Sequence, residues 1–408
     1  LTNTPTALIV ATMDTKGREA GFLAACLKAE GIAVKIMDAG ILGVSSMPVD
    51  VTRRQVARAG GKSLEDVQNI GHEGQALEVM TTGAVECAQK LHRQNQIQGI
   101  IGLGGSMGTT LGSGVMRSFP VGVPKVMIST MASRDTRAFV GTKDILMLHS
   151  VCDLAGLNRI TRKILRNGAL ALAGMLGPAM PDEAAEEKPL VFLSTLGTTE
   201  ACARKIRRSL EEKNNEVVIF HTVGSGGKAM EEMIRDENVS ALVDLSLHEI
   251  ADHRFGGDYD AGSQRGTAAL DRQIPTILVP GNIDFLVTGP VETALKQFPD
   301  RPYHVHNAAI TVVRTNQKEI EILAQSVALL CNNATGPVKI LVPMKGFSAF
   351  DHEDGPLHDP EAPAKFLARL EESLNDDARL ESLPLHINDA EFAGAVIDMS
   401  CRITPDIC

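Results

Sequence analysis

The chain contains no tryptophan and only two tyrosines among 408 residues, and aromatics make up 3% of it. Side chains on which bases or sugars could stack are therefore scarce. Basic residues are also in deficit, since 40 Lys and Arg against 50 Asp and Glu leave a formal net charge of −10. A general nucleic-acid binder must neutralise phosphates with a basic face, and this balance argues against one. Seven cysteines are scattered without a single CxxC pair. Neither a zinc ribbon nor a disulfide scaffold is suggested, and reduced thiols in a cytoplasmic protein are the simple expectation. The first residues, Leu1-Thr-Asn-Thr-Pro5, carry no basic segment leading into a long apolar run. The most apolar helical stretch, Gly168 to Met180, is too short and interrupted to span a bilayer. A soluble protein with no membrane partner is expected.

Glycine, by contrast, is abundant at 37 residues, and much of it falls where strands would end. At about 150 residues per domain, a chain of this length should form two domains or three. Short β-branched runs alternate with amphipathic stretches. Strands read at about Ala7–Thr12, Ala33–Asp38, Gly99–Leu103, Lys125–Ser129 and Ile145–His149 in the first half. In the second half they read at about Leu190–Thr195, Glu216–His221, Ala241–Asp244, Thr276–Val279 and Lys339–Val342. Such alternation predicts an α/β fold of βαβ units with mainly parallel sheets. The Pro-rich, acidic run from Gly177 to Pro189 reads as the break between domains. The expected division is residues 1–178, a linker 179–189, and 190–408. The halves also resemble each other. Leu8-Ile-Val-Ala-Thr-Met-Asp-Thr aligns with Val191-Phe-Leu-Ser-Thr-Leu-Gly-Thr, and Val34–Asp38 with Val217–His221, at one constant offset of 183. An internal duplication accounts for this better than convergence of two βαβ domains.

Ligands of open parallel sheets bind beyond the carboxyl ends of the strands, so the loops there are where chemistry should sit. In Met13-Asp-Thr-Lys-Gly-Arg-Glu19, Asp14 or Thr15 can cap the next helix and Lys16 adds a positive charge. An ordinary capped turn would look the same. Gly102-Leu-Gly-Gly-Ser-Met-Gly-Thr-Thr110 is the strongest signal, a buried strand running into glycines and hydroxyls before a helix. Its glycines would let a phosphate approach the backbone, with Ser106, Thr109 and Thr110 as donors. Close helix–strand packing is the other reading. The run matches neither GxGxxG nor a Walker A loop. Ser129 to Arg137 offers Arg134 and Arg137 to an anion, or is a solvated turn.

The second half has its own polar residues after its strands: His221-Thr-Val-Gly-Ser-Gly-Gly-Lys228, Asp244 to His253, and Pro280-Gly-Asn-Ile-Asp284. His248 and His253 lie about 140° apart around a helix, so a zinc-protease site is not formed. His221 aligns with Asp38, Gly197 with Asp14, and Thr199 with Lys16, which suggests that the two copies bind different ligands. A polar substrate cleft is expected there. His221 or His253 would be its acid–base group, Lys345 its anion anchor, and Lys228, Asp244 and Asn282 its binding residues.

The runs ATMDTKGRE, GLGGSMGTT, PKVMIST, SVCDLAGLNRI, PMKGFSAFD and HINDAEFA together resemble the Tm-type ATP-binding domain family across essentially the whole chain. The resemblance implies two tandem Rossmann-like domains, with ATP and magnesium in the first, and homodimers. It also implies a version without the C-terminal TIM-barrel domain of the plant member. Under it the phosphates would lie on Gly104, Gly105, Ser106, Gly108, Thr109 and Thr110, facing Asp14, Thr15 and Lys16. Asp38 stands where a nucleotide-binding fold contacts the ribose. No residue set points to a metal site. Three readings stay open: an ATP-binding protein, an ATP-dependent enzyme acting on a small carboxylate, and a nucleotide-responsive assembly module without turnover.

Overall fold

The structure is a computed structural model that describes residues 4–45, 47–177, 188–376 and 379–408. The chain divides into two compact units, Leu1–Ala184 and Ala185–Cys408. The segment expected to be a linker lies outside the described residues, except for Lys188 and Pro189.

The first unit is built on five parallel strands: β1 (Thr6–Ala11), β2 (Ala33–Asp38), β3 (Gly99–Gly104), β4 (Lys125–Ser129) and β5 (Leu146–His149). Their order in the sheet is β2-β1-β3-β4-β5. Side chains alternate along each strand. Leu8, Val10, Ile100 and Met127 therefore pack on one face with Met80, Leu111 and Met116. Ala7, Ile9, Ile101 and Ile128 pack on the other with Leu23, Leu165 and Leu172. Both faces are covered, which is why the inner strands read as unbroken apolar runs. The connection from β1 leads to β2 on one side, and β3 then joins β1 on the other. That reversal opens a crevice between β1 and β3 at their carboxyl ends.

Two short helices after β2, Arg53–Ala59 and Leu64–Gln68, are absent from the sequence reading. Their signals were present as capping boxes, Thr52 with Gln55 and Ser63 with Asp66. The first crosses the long helix Glu73–Arg93 at a glycine contact. A Cβ on Gly83 would lie 1.8 Å from the Val56 carbonyl oxygen, and one on Gly60 would lie 2.2 Å from that of Val79.

The second unit has six parallel strands, β6 (Leu190–Thr195), β7 (Glu216–His221), β8 (Ala241–Asp244), β9 (Thr276–Leu278), β13 (Val338–Pro343) and β14 (Leu380–Leu383). They stand in the order β14-β13-β9-β8-β6-β7. Between β9 and β13 comes an antiparallel sheet of β10 (Phe285–Thr288), β11 (Tyr303–Asn307) and β12 (Ile310–Arg314). Without β14 and this insertion, the order repeats that of the first unit strand for strand. The offset of 183 therefore equates β1 with β6 and β2 with β7. In this insertion Tyr303-His-Val-His-Asn307 is β11, an edge strand. One correction concerns the thiols. Cys401 and Cys408 form a disulfide with their Cα atoms 5.5 Å apart, closing the last helix Ala390–Ile403 onto the turn Pro405–Ile407. The other five cysteines are free. Among the described residues no helix is long and apolar enough to cross a membrane.

The Gly60–Gly83 crossing holds one wall of the crevice described next. Gly83→Ala is expected to cost about 1–3 kcal/mol, because the added methyl meets backbone that cannot swing aside. Urea unfolding checks this, and an unchanged midpoint would mean that the crossing relaxes freely.

Candidate functional site

The crevice at the ends of β1 and β3 is a cavity of about 550 Å³. Thr12, Asp14, Thr15 and Lys16 line it after β1, and Gly104 to Gly108 line it after β3. Ile41, Leu42, Val67, Ala76 and Leu77 form an apolar wall, with His72 and Glu73 beside it. These wall residues come from the excursion after β2, and the sequence reading missed them.

The glycines after β3 divide into two kinds. A Cβ on Gly102 would lie 2.7 Å from Met127 Sδ, and one on Gly104 would lie 2.7 Å from Gly108 Cα. These glycines let the strand press onto the helix Ser106–Arg117. Gly105 is different, because its Cβ would meet nothing nearer than Thr130 Oγ1 at 3.8 Å. Gly105 is also the helix N-cap and supplies no side chain to the first-turn amides. Those amides and the positive end of the helix dipole suit an anion. The hydroxyls divide as well. Ser106 is exposed on the cavity. Thr109 is fully buried and bonded to Ser129 Oγ at 2.6 Å, while Thr110 bonds back to the Ser106 carbonyl. Neither threonine hydroxyl is turned to a ligand, which revises the expectation for both.

Across the cavity, Asp14 Oδ1 is buried without a hydrogen-bond partner. A Cβ on Gly40 would sit 2.9 Å from this atom and 3.0 Å from Asp38 Oδ1, so a glycine there lets the two carboxylates come close. Asp38 itself is buried, and its Oδ1 accepts the amides of Met13 and Gly40. Burial raises its carboxyl above the ordinary range, against the pull of these amides. It secures the loop after β1, and the ribose contact expected of it is not carried forward. Lys16 is likewise committed: its Nζ donates to the Leu154 carbonyl at 2.6 Å. Thr15 Oγ1 lies 2.9 Å from Thr12 Oγ1. Arg137 pairs with its neighbour Asp135, and Arg134 is exposed.

In the second unit, the glycine-rich turn after β7 already has an anion. Glu249 Oε1 accepts the amides of Gly224 at 2.7 Å and Gly227 at 3.0 Å, at the start of the helix Ser225–Asp236. Arg265 Nε bonds its other oxygen at 2.7 Å, and the same guanidinium grips both oxygens of Asp244. Asp244, Glu249 and Arg265 are all buried. Asp244 is therefore part of an internal ion cluster, not of a substrate cleft. Asn282 is buried as well and donates to Thr198 Oγ1 at 2.6 Å. His221 and Lys228 are exposed at the two ends of the glycine turn. His253 Nδ1 lies 2.8 Å from Asp260 Oδ1. Lys345 lines a separate cavity whose lining includes none of His221, Lys228, Asp244, His253 or Asn282. The expected cluster is thus not assembled. Glu249 and Arg265, which decide the fate of the turn, were not singled out. An acidic residue in the helix after β8 was the available sign of them.

Among the described residues, no group of three His, Cys, Asp or Glu side chains could hold a metal ion unaided. Farther along, Asp284 Oδ2 accepts from Ser348 Oγ at 2.6 Å, and its Oδ1 is buried without a partner. Burial, then the like charge of Asp351, pushes the Asp284 carboxyl from 3.8 up to about 7, against the pull of Arg314 and Ser348.

Two outcomes follow from these buried charges. Glu249→Ala leaves Arg265 Nε and the amides of Gly224 and Gly227 without an acceptor, while Asp244 still holds the guanidinium, and is expected to lower stability by about 1–3 kcal/mol in urea unfolding. Glu249→Gln, which keeps an acceptor for the amides, should cost less. For Asp284, the folded chain keeps a proton that the unfolded chain releases near pH 4. Its contribution is full below that pH and is lost as pH rises to about 7, by up to about 1.4 kcal/mol per pH unit. Urea midpoints at several pH values should show this decline in the native chain and a shallower one in Asp284→Asn. An equal decline in both would refute the assignment.

Comparison with known proteins gives matches along the whole chain. Residues 5–180 match the N-terminal domain of an uncharacterised protein family, UPF0261, and residues 188–404 match its C-terminal domain. A UPF0261 protein of Clostridium tetani is 37% identical over 95% of this chain and 96% of its own. The ToMV resistance protein Tm-1(GCR237) of Solanum lycopersicum is 31% identical over 99% of this chain, which spans 56% of that protein. Among solved structures, a UDP-GlcNAc 2-epimerase from Neisseria meningitidis bound to UDP-GlcNAc covers 90% of this chain and 100% of its own. At 8% identity and a TM-score of 0.23, that superposition is too loose to carry a function across.

Proposed function

We propose, for a chain that belongs to the UPF0261 family through both of its units, that the first unit binds ATP with magnesium in the crevice between β1 and β3. The observation that carries this is the open helix start at Gly105. Its amides have no side-chain cap, and the glycine's missing Cβ leaves room that the protein itself does not fill. Phosphate oxygens fit such a start. The apolar wall of Ile41, Leu42, Val67, Ala76 and Leu77 suits the flat, apolar faces of a base. Magnesium is commonly held by one or two carboxylates together with substrate phosphates. Asp14, with its buried unpartnered oxygen, is the residue here that fits that role. Lys16 supports the site by fixing its loop, through the bond to Leu154, and not by charge.

The test is calorimetric titration of ATP with and without magnesium. The native chain should bind, and removing magnesium should weaken binding. Gly105→Leu should lose affinity by at least about tenfold while melting normally, because its side chain enters the ligand space and not the core. Asp14→Asn should reduce the magnesium dependence. No heat with the native chain, or full affinity in Gly105→Leu, would overturn the reading. The homodimer implied by the family resemblance belongs to the same proposal. Light scattering of a dilute solution giving a mass near 43.6 kDa would count against it.

A further inference from the structure

The motifs Pro343-Met-Lys-Gly-Phe-Ser-Ala-Phe-Asp351 and His386-Ile-Asn-Asp-Ala-Glu-Phe-Ala393 have no part in the nucleotide reading. They leave the carboxyl ends of β13 and β14, which pair in parallel from Ile340 with Leu380 to Pro343 with Leu383. Gly346, at φ +127°, lets them close on each other: a Cβ there would lie 1.9 Å from the Asp351 carbonyl oxygen and 2.9 Å from the His386 ring. Between these motifs and the loop that follows Asp351 lies a cavity of about 740 Å³.

The charges around this cavity are not evenly satisfied. Asp351, whose side chain is 1% exposed, accepts the amides of Phe347 and Asp359 and pairs with Arg314 at 3.2 Å. Arg314 is buried too, faces Asp284 at 3.6 Å, and makes no hydrogen bond through any of its three nitrogens. Asp389 accepts the His386 amide, and Asp359 accepts the Glu361 amide. Only Glu353, exposed at the rim, has no such engagement among the described residues. The donors differ. Lys345 is exposed and its ammonium has no partner among the described residues. His352 Nδ1 accepts the Asp354 amide, which leaves its proton on Nε2 with no acceptor there. His386 is held between the Asn388 amide and the Ser348 carbonyl, a network that fits the neutral ring protonated at Nε2. His358 stands with Nδ1 3.7 Å from Asp351 Oδ1 and its side chain 28% exposed. This distance exceeds a hydrogen bond, and such contacts shorten when a ligand closes the site.

We propose that this cavity is a second ligand site, for a small metabolite bearing a carboxylate or phosphate, in which Lys345 holds the anion and His358, backed by Asp351, takes up a proton as the ligand binds. The proton comes from solvent to Nε2 while Nδ1–H faces Asp351, so the imidazolium lies between two anions. No covalent bond forms or breaks. Other titratable groups face the same space: Asp284 and Arg314 behind Asp351, Asp359 next in the chain, and His352, Glu353, His386 and Asp389 around the cavity. The site would give the second unit a ligand of its own.

The experiment is calorimetric titration of the full chain with malonate and, separately, with inorganic phosphate, each in two buffers of different ionisation enthalpy. One or both dianions should bind with net proton uptake, and the preferred one identifies the class of anion. Lys345→Ala should weaken binding by about tenfold or more, as expected for loss of a charge-assisted contact. Lys345→Gln guards against a folding artefact. His358→Asn should abolish the proton uptake without lowering the melting temperature. ATP titration of the same variants should match that of the native chain, so this site and the nucleotide site can fail separately. The proposal is overturned if neither dianion binds, if both Lys345 variants bind like the native chain, or if uptake persists in His358→Asn.

Discussion

Every helix that follows a parallel strand presents unpaired amides at the carboxyl edge of the sheet, and each set must find an acceptor. Where the acceptor comes from decides which loops of this molecule are free to bind anything. After β1 it is supplied from within, by Asp38 on the Met13 amide. After β7 it is supplied by Glu249, a buried carboxylate placed where a phosphate would otherwise lie. After β3 the N-cap is a glycine and offers nothing. The three glycine-bearing loops look alike in sequence, yet only one leaves its helix dipole uncompensated by the chain.

That contrast gives the duplication a physical content. The two units share a strand order, so the same edge positions recur, and the copies diverge in what fills them. In the second unit the ion cluster of Asp244, Glu249 and Arg265 closes the glycine turn, and Asn282 covers the loop after β6 through Thr198. Open space has moved outward to the ends of β13 and β14, one strand of which has no counterpart in the first unit.

The framework of this fold was legible because its inner strands are buried on both faces and read as apolar runs bounded by glycine and proline. All five strands expected in each half are present, within a residue or two at their ends. What sequence could not separate were roles that depend on a neighbour far along the chain. Gly104 and Gly105 are adjacent and identical, yet one is needed for packing against Gly108 and the other is not. Lys16 reads as a phosphate ligand until Leu154, 138 residues away, takes its ammonium. His358 carried no motif, and Asp351 stood at the end of one without being singled out. The inserted antiparallel sheet escaped notice because its edge strand, Tyr303–Asn307, alternates histidine with exposed residues and shows no buried face.

The bond from Lys16 to Leu154 has a companion: Glu19, one turn later, accepts the amide of Gly156. Between the cavity-facing Asp14 and this second bond, the helix departs from regular geometry at Lys16, with φ −119° and ψ 15°. The first helical turn is thus stitched to the segment that leaves β5, at the opposite edge of the sheet from β2. In that segment Val151, a β-branched residue, is held at φ +61° with its side chain 70% exposed, a strained posture for such a residue. The turn that carries Asp14 is therefore anchored at two points, Leu154 and Gly156, to the same segment that holds this valine, so the floor of the crevice is fixed by chain that arrives from the far edge of the sheet.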